Sequence, residues 1–109
     1  LASRGYDGIG NNAMLAAVPE TGELKRFMTG PRGCEITGVV MTPDQRTMFV
    51  NIQHPGESTT YWNNLNGGAP TTANPSTVSN WPSGDPGNTR RPGPATVVIR
   101  RLDGGRIGE

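Results

Sequence analysis

Glu35 stands in the run GPRGCEITG, Gly30 to Gly38, with glycines on both sides of it. Glycine lets the backbone come close to a ligand, and a carboxylate placed there is a hard oxygen donor of the kind a calcium ion takes. The competing reading is a strand-end charge turned to solvent. A second cluster, Asn51-Ile52-Gln53-His54-Pro55-Gly56-Glu57, gathers amide, imidazole and carboxylate groups where an apolar run ends. His54 has the chemistry of a metal ligand or a proton carrier. It is the only histidine, so this chain cannot build a metal cluster from histidines, and an isolated histidine at a strand end more often has a structural role.

Other groups carry weaker signals. Asp7, Asn11 and Asn12 offer oxygens from a glycine-rich stretch, but D-G-I-G-N-N lacks the alternating acidic pattern of a calcium loop, and turn chemistry explains it equally well. Arg32, Arg100 and Arg101 carry the guanidinium fork that clamps phosphate. Strand alternation puts Arg100 and Arg101 on opposite faces, so the two cannot serve one site. Cys34 has no Cys–His spacing or basic surroundings in the sequence and fits a small buried hydrophobe better than a nucleophile.

The elements that must position these groups are β-rich. The 109 residues include 16 glycines and 10 prolines, and only 32% are hydrophobic, which disfavours a helical bundle. The net charge of +1 gives no electrostatic case for nucleic acid or anionic lipid as a partner. One cysteine excludes an intrachain disulfide, and no apolar run is long enough to span a membrane. Opening on Leu1 and closing on Glu109, the chain reads as a piece of something longer.

NAMLAAV and LKRFMTG, joined by Pro19-Glu20-Thr21-Gly22-Glu23, are expected to form a hairpin. CEITGVVMT and TMFVNIQ, joined by Pro43-Asp44-Gln45-Arg46, are expected to form a second. In its return strand Met48, Val50 and Ile52 share one face, opposite Thr47, Phe49, Asn51 and Gln53, so both faces are expected to be partly covered. Residues 58–94 are mostly Gly, Pro, Ser, Thr and Asn, with Tyr61, Trp62 and Trp81 as isolated aromatics. This insertion is expected to lack a core of its own, either packing on the surface through its aromatics or staying mobile. ATVVIRRL then returns as a strand, the turn Asp103-Gly104-Gly105 is expected to follow, and a sixth strand is expected to start near Arg106. The organisation is therefore 1–57, strands with the candidate site; 58–94, insertion; 95–109, closing strand and the start of another. Four or five short antiparallel strands bury little surface by themselves, so the expected fold is an all-β antiparallel meander, about one to one and a half blades of a β-propeller.

The order of motifs says more than any single motif. Gly10 to Glu57 contains a GNN-x-ML segment, a P-x-TGE turn, a GP-x-GCEITG strand and a TPD-x-RTMFVNIQHPGE hairpin, and it resembles the late blades of PhoX-type alkaline phosphatases. Trp81-Pro82, Arg91-Pro92-x-Pro94 and ATVVIRRLDGGRIG are similar to the closing stretch of that family. The resemblance identifies the chain as a C-terminal part of such a protein. It implies a propeller exported to the periplasm or outside the cell, releasing phosphate from phosphate esters with calcium and iron at the propeller centre.

The resemblance implies that Glu35 contacts the metals, with Gln53 and His54 close by. Asn12 and Arg32 join them as candidates near the substrate. The family's active-site cysteine belongs to an upstream motif absent here, so Cys34 is not its counterpart. The upstream acidic ligands are absent too, which implies a piece that is inactive alone and needs the remaining blades as partners. Two departures are the bulky insertion and Val18, where an Asp commonly precedes the proline. The alternative is a blade of a secreted, non-catalytic binding or scaffold propeller.

Overall fold

The computed structural model describes residues 10–87 and 90–109. The glycine-rich start with Asp7 therefore lies outside the described residues. Strands β1 (Ala13–Val18) and β2 (Glu23–Thr29) pair antiparallel as a two-stranded sheet. Their turn closes when the Gly22 N–H donates to the Val18 carbonyl at 2.8 Å, with Gly22 at φ 70°, a conformation that glycine adopts without steric cost.

Strands β3 (Glu35–Met41) and β4 (Met48–Gln53) form the second hairpin. Thr42 ties its turn: its hydroxyl donates to Asp44 Oδ1 at 2.6 Å and accepts from the Thr47 N–H at 3.1 Å. The register shifts between Thr37 and Val39, so Gly38 sits at a bulge. A further strand, β5 (Ala95–Ile99), pairs antiparallel with β4, making β4 the centre of a three-stranded sheet. The expected alternation holds within β4, for Met48, Val50 and Ile52 are 7%, 0% and 3% exposed while Asn51 and Gln53 face outward; Thr47, just before the strand, is buried instead, its hydroxyl accepting from Arg100 Nε.

The two sheets meet through Asn12. Its Oδ1 accepts from the Ile36 N–H at 3.1 Å and its carbonyl accepts from the Gly30 N–H at 2.9 Å, while Asn11 Nδ2 donates to the Gly30 carbonyl. Between the sheets lies an apolar cleft of about 420 Å³ lined by Met14, Phe27, Val39, Val40, Met48 and Ile107. Leu24, Val40 and Val98 are more than half exposed. Two open antiparallel sheets with uncovered apolar faces are the parts of a propeller-type fold, as the sequence leads one to expect.

Two expectations are corrected. The insertion does have a small core: helix α1 (Thr60–Asn66) places Trp62 against Val78, both nearly fully buried, with Tyr61 edge-on to Trp62 at 5.0 Å between ring centroids. Caps make so short a helix possible. The Thr59 hydroxyl accepts from the Trp62 N–H at 3.2 Å, and Gly67 ends the helix at φ 78°. The second correction concerns the end of the chain, where no strand starts near Arg106 among the described residues. The chain turns at Arg101–Gly104, as the Asp103-Gly104-Gly105 run leads one to expect, and beyond it the Ile107 N–H donates to the Gln45 carbonyl at 2.9 Å, pinning this segment to the β3–β4 turn.

Candidate functional site

Two turns meet at one end of the β3–β4 pair. The first, at Arg32 and Gly33, leads into β3; the second, residues 54–57, leaves β4. The Gly56 N–H donates to the Arg32 carbonyl at 2.8 Å, and the Glu57 N–H reaches the carbonyls of Gly33 and His54, each at 3.2 Å. Gly33 is buried at φ 65°, and a Cβ there would come within 2.7 Å of the Glu57 nitrogen. Only glycine lets the turns dock this closely.

The docking brings together three groups that do chemistry. His54 Nε2 lies 3.4 Å from Glu35 Oε2, and its Nδ1 lies 3.3 Å from Glu57 Oε2. Nδ1 is buried and lacks hydrogen-bond alignment with any partner. His54 holds φ 33°, an uncommon backbone for a side chain larger than glycine. Both carboxylates are roughly half exposed, with side-chain exposures of 49% for Glu35 and 43% for Glu57, so each keeps oxygen lone pairs toward solvent. An imidazole between two carboxylates can orient them, and a partly exposed carboxylate can offer oxygens to a cation.

The remaining sequence candidates separate around this centre. Gln53 faces Glu35 across the β3–β4 register and is exposed. Asn12 spends its side-chain oxygen on the Ile36 N–H, a bond that joins the sheets. Arg32 Nη1 donates to Asn66 Oδ1 at 2.9 Å, so its guanidinium ties the site turn to α1. Arg100 Nε donates to Thr47 Oγ1 at 3.1 Å while Arg101 pairs with Asp103, and the two arginines do not converge. Cys34 is fully buried, and burial pushes its thiol up to about 11, which suits a packing role.

Residue-by-residue reading missed a polar row on the outward face of the larger sheet. Thr37, Asn51 and Thr96 align across β3, β4 and β5, and the Thr96 hydroxyl donates to Asn51 Oδ1 at 2.7 Å. The signal was strand register, which no single strand carries. Among the described residues, no group of three or more His, Cys, Asp or Glu side chains is arranged to hold a metal ion.

Open antiparallel blades carrying a carboxylate–imidazole–carboxylate group at their strand ends define the class: part of a propeller-type protein with a polar site where its strands end. The family model for alkaline phosphatase PhoX matches residues 3–56. The solved structure of Pseudomonas fluorescens PhoX in complex with vanadate, a transition state analogue, is 43% identical over 99% of this chain, with a TM-score of 0.68. No curated protein matches the chain. It spans 16% of that solved chain. The chain belongs to the PhoX alkaline phosphatase family.

Proposed function

We propose that this chain is part of a metal-dependent phosphomonoesterase in which Glu35 supplies one ligand of a calcium- and iron-containing centre. The observation that carries the reading is the placement of Glu35: at the start of β3, half exposed, with one oxygen held 3.4 Å from His54 Nε2. Its donor chemistry fits a hard cation. Calcium takes six to eight oxygen ligands, of which one carboxylate supplies at most two. Among the described residues no group of three or more His, Cys, Asp or Glu side chains is arranged to hold a metal, so on this reading the remaining blades complete the ligand set and the chain alone has no phosphatase activity.

When bound, such cations would draw charge off the phosphoryl oxygens of a phosphate ester. The residues of this chain orient and support. His54 limits the rotamers open to Glu35 and Glu57. Gln53, beside Glu35 on the exposed face, offers an amide to a phosphoryl oxygen or to Glu35 itself. Arg32 and Asn12 act through the fold: Arg32 fastens α1 to the site turn, and Asn12 fixes the start of β3 through Ile36. The parent protein works in the periplasm or outside the cell.

The test compares the full-length parent with its Glu35→Gln variant for bound calcium and iron and for phosphomonoesterase activity. Joint loss of metal and activity is the expected result. An active, fully loaded variant would remove Glu35 from the centre, and an inactive, metal-free parent would favour a scaffold propeller.

A further inference from the structure

The insertion does more than pack on the surface: it forms a wall of the site. Pro92 stands over the site turn so closely that a Cβ on Gly56 would lie 2.7 Å from its Cγ. The Arg32–Asn66 hydrogen bond fastens the other end of the insertion to the same turn region. Between the insertion and the turn runs a cleft of about 700 Å³, and its lining includes His54, Glu57, Thr71, Thr72, Arg91 and Pro92. That volume suits a small organic molecule.

His54 belongs to both places. One edge of its ring faces Glu35, and the residue also lines the cleft. A ligand reacting beside Glu35 would therefore extend past His54 into this cleft. The cleft holds a cation, Arg91, exposed and without an ion pair to any described residue. Two threonine hydroxyls, on Thr71 and Thr72, stand on the same lining. The acidic member, Glu57, faces the His54 ring at 3.3 Å. Several prolines in the walls fix backbone φ and keep the cleft formed before a ligand arrives.

We propose that this cleft is the leaving-group subsite of the phosphomonoesterase reading on which the inference rests, and that Arg91 selects phosphate esters whose alcohol portion carries a second anion. A guanidinium pairs bidentately with a carboxylate or phosphate, whereas threonine hydroxyls accept and donate to sugar-like hydroxyls. The insertion thus sets which ester is preferred, and the strand-end groups handle the phosphoryl end.

The experiment uses the full-length parent with a matched pair of esters, 3-phosphoglycerate and glycerol 3-phosphate, which differ at the carboxylate. Arg91→Ala should raise KM for 3-phosphoglycerate about tenfold, the scale of one charge-assisted contact, and leave KM for glycerol 3-phosphate and kcat for both unchanged. Arg91→Lys should recover only part of the preference, since an ammonium lacks the planar fork. Equal KM changes for the two esters, or none, would overturn the subsite. Calorimetric binding of both esters to parent and variant makes the same comparison without turnover. If the parent hydrolyses neither ester yet binds 3-phosphoglycerate through Arg91, the leaving-group assignment falls with the enzyme reading and the cleft stands only as an anion-selecting site; no difference in binding overturns the selection by Arg91 whatever the activity.

Discussion

His54 Nε2 faces Glu35 Oε2 at 3.4 Å because the antiparallel register of β3 and β4 sets Glu35 opposite Gln53, one residue before the histidine. The chain leaves β4 at that point, and the φ of 33° at His54 turns it back so that Glu57 comes within 3.3 Å of the other ring nitrogen. Two carboxylates distant in sequence are thereby brought within 3.4 Å of one imidazole. On the proposed reading, in which Glu35 holds a metal, removing such a support commonly changes metal affinity by about 10–100-fold.

His54→Ala in the full-length parent should therefore weaken calcium binding by about tenfold, at the lower end of that range because the carboxylates are half exposed. His54→Asn should recover part of the loss, since asparagine tolerates left-handed backbone and offers a donor to Glu35. Calcium titration of the metal-stripped protein, with circular dichroism to confirm folding, checks both. Unchanged affinity in folded His54→Ala would leave the histidine with no positioning role.

Gly33 is the backbone counterpart of that contact. A methyl group added there meets the Glu57 nitrogen at 2.7 Å, at a residue already holding φ 65°. Gly33→Ala should destabilise the parent by about 1–3 kcal/mol, from strain at positive φ and from displaced turns. Denaturant unfolding measures this. Gly67, also at positive φ but with open space around it, should cost less on the same substitution.

How far the sequence disclosed this arrangement depends on the range of the interaction. The hairpins are local, and their signals are too: a proline opening each link, Gly22 in its turn, and alternation in Met48, Val50 and Ile52 mark strands that the structure contains. Glu35 and His54 were legible as candidates because glycines and a turn flank them. Their meeting was not, because it depends on the register of β3 against β4. The helix at Thr60–Asn66 was hidden by composition, since Thr, Asn and Gly read as loop residues until Thr59 and Gly67 are seen as caps around a buried Trp62. The turn at Asp103, Gly104 and Gly105 was legible and is present, but the strand expected beyond it near Arg106 is not, because that segment folds back onto the Gln45 carbonyl through Ile107, a contact far apart in sequence.

That turn has its own signature. Arg101 donates to both Asp103 oxygens, at 2.9 and 2.6 Å, and the Gly105 N–H donates to one of them at 2.9 Å; these bonds hold the carboxyl well below the usual carboxylate range, at about 2. The folded value lies below the unfolded one, so the stabilisation is fully present above the ordinary value of 3.8 and is lost as pH falls toward 2. The Asp103 carboxyl carbon should titrate near the lower value by NMR. A midpoint near 3.8 would mean that the Arg101 clasp does not hold in solution.

Cys34 should behave as packing, not chemistry. It is fully buried, and its thiol is pushed up to about 11 by desolvation, so little thiolate exists at neutral pH. The native parent should resist alkylation at pH 8 and react rapidly once unfolded. Fast native alkylation would contradict the burial. Gly30→Ala offers an independent check, because a Cβ at that position would collide with the Cys34 sulfur and should loosen the site turn and expose the thiol.

The apolar faces lead to the last prediction. Val40 and Val98 flank Phe49 across the register of β3, β4 and β5 and are 62% and 54% exposed, with Leu24 on the other sheet 66% exposed; an apolar row left open on so small a piece is uncommon unless something covers it. In a propeller the cover is the adjacent blade of the same protein. The isolated 109-residue chain should therefore bind a hydrophobic dye and self-associate, whereas the full-length parent should do neither. Val40→Lys separates this from nonspecific stickiness. In the isolated chain it should lower dye binding, because a charge replaces an exposed apolar group. In the parent it should cost about 2–4 kcal/mol, because the ammonium would be buried against a neighbour without a partner. A parent that tolerates Val40→Lys without loss of stability would show that this face stays open to solvent in the whole protein.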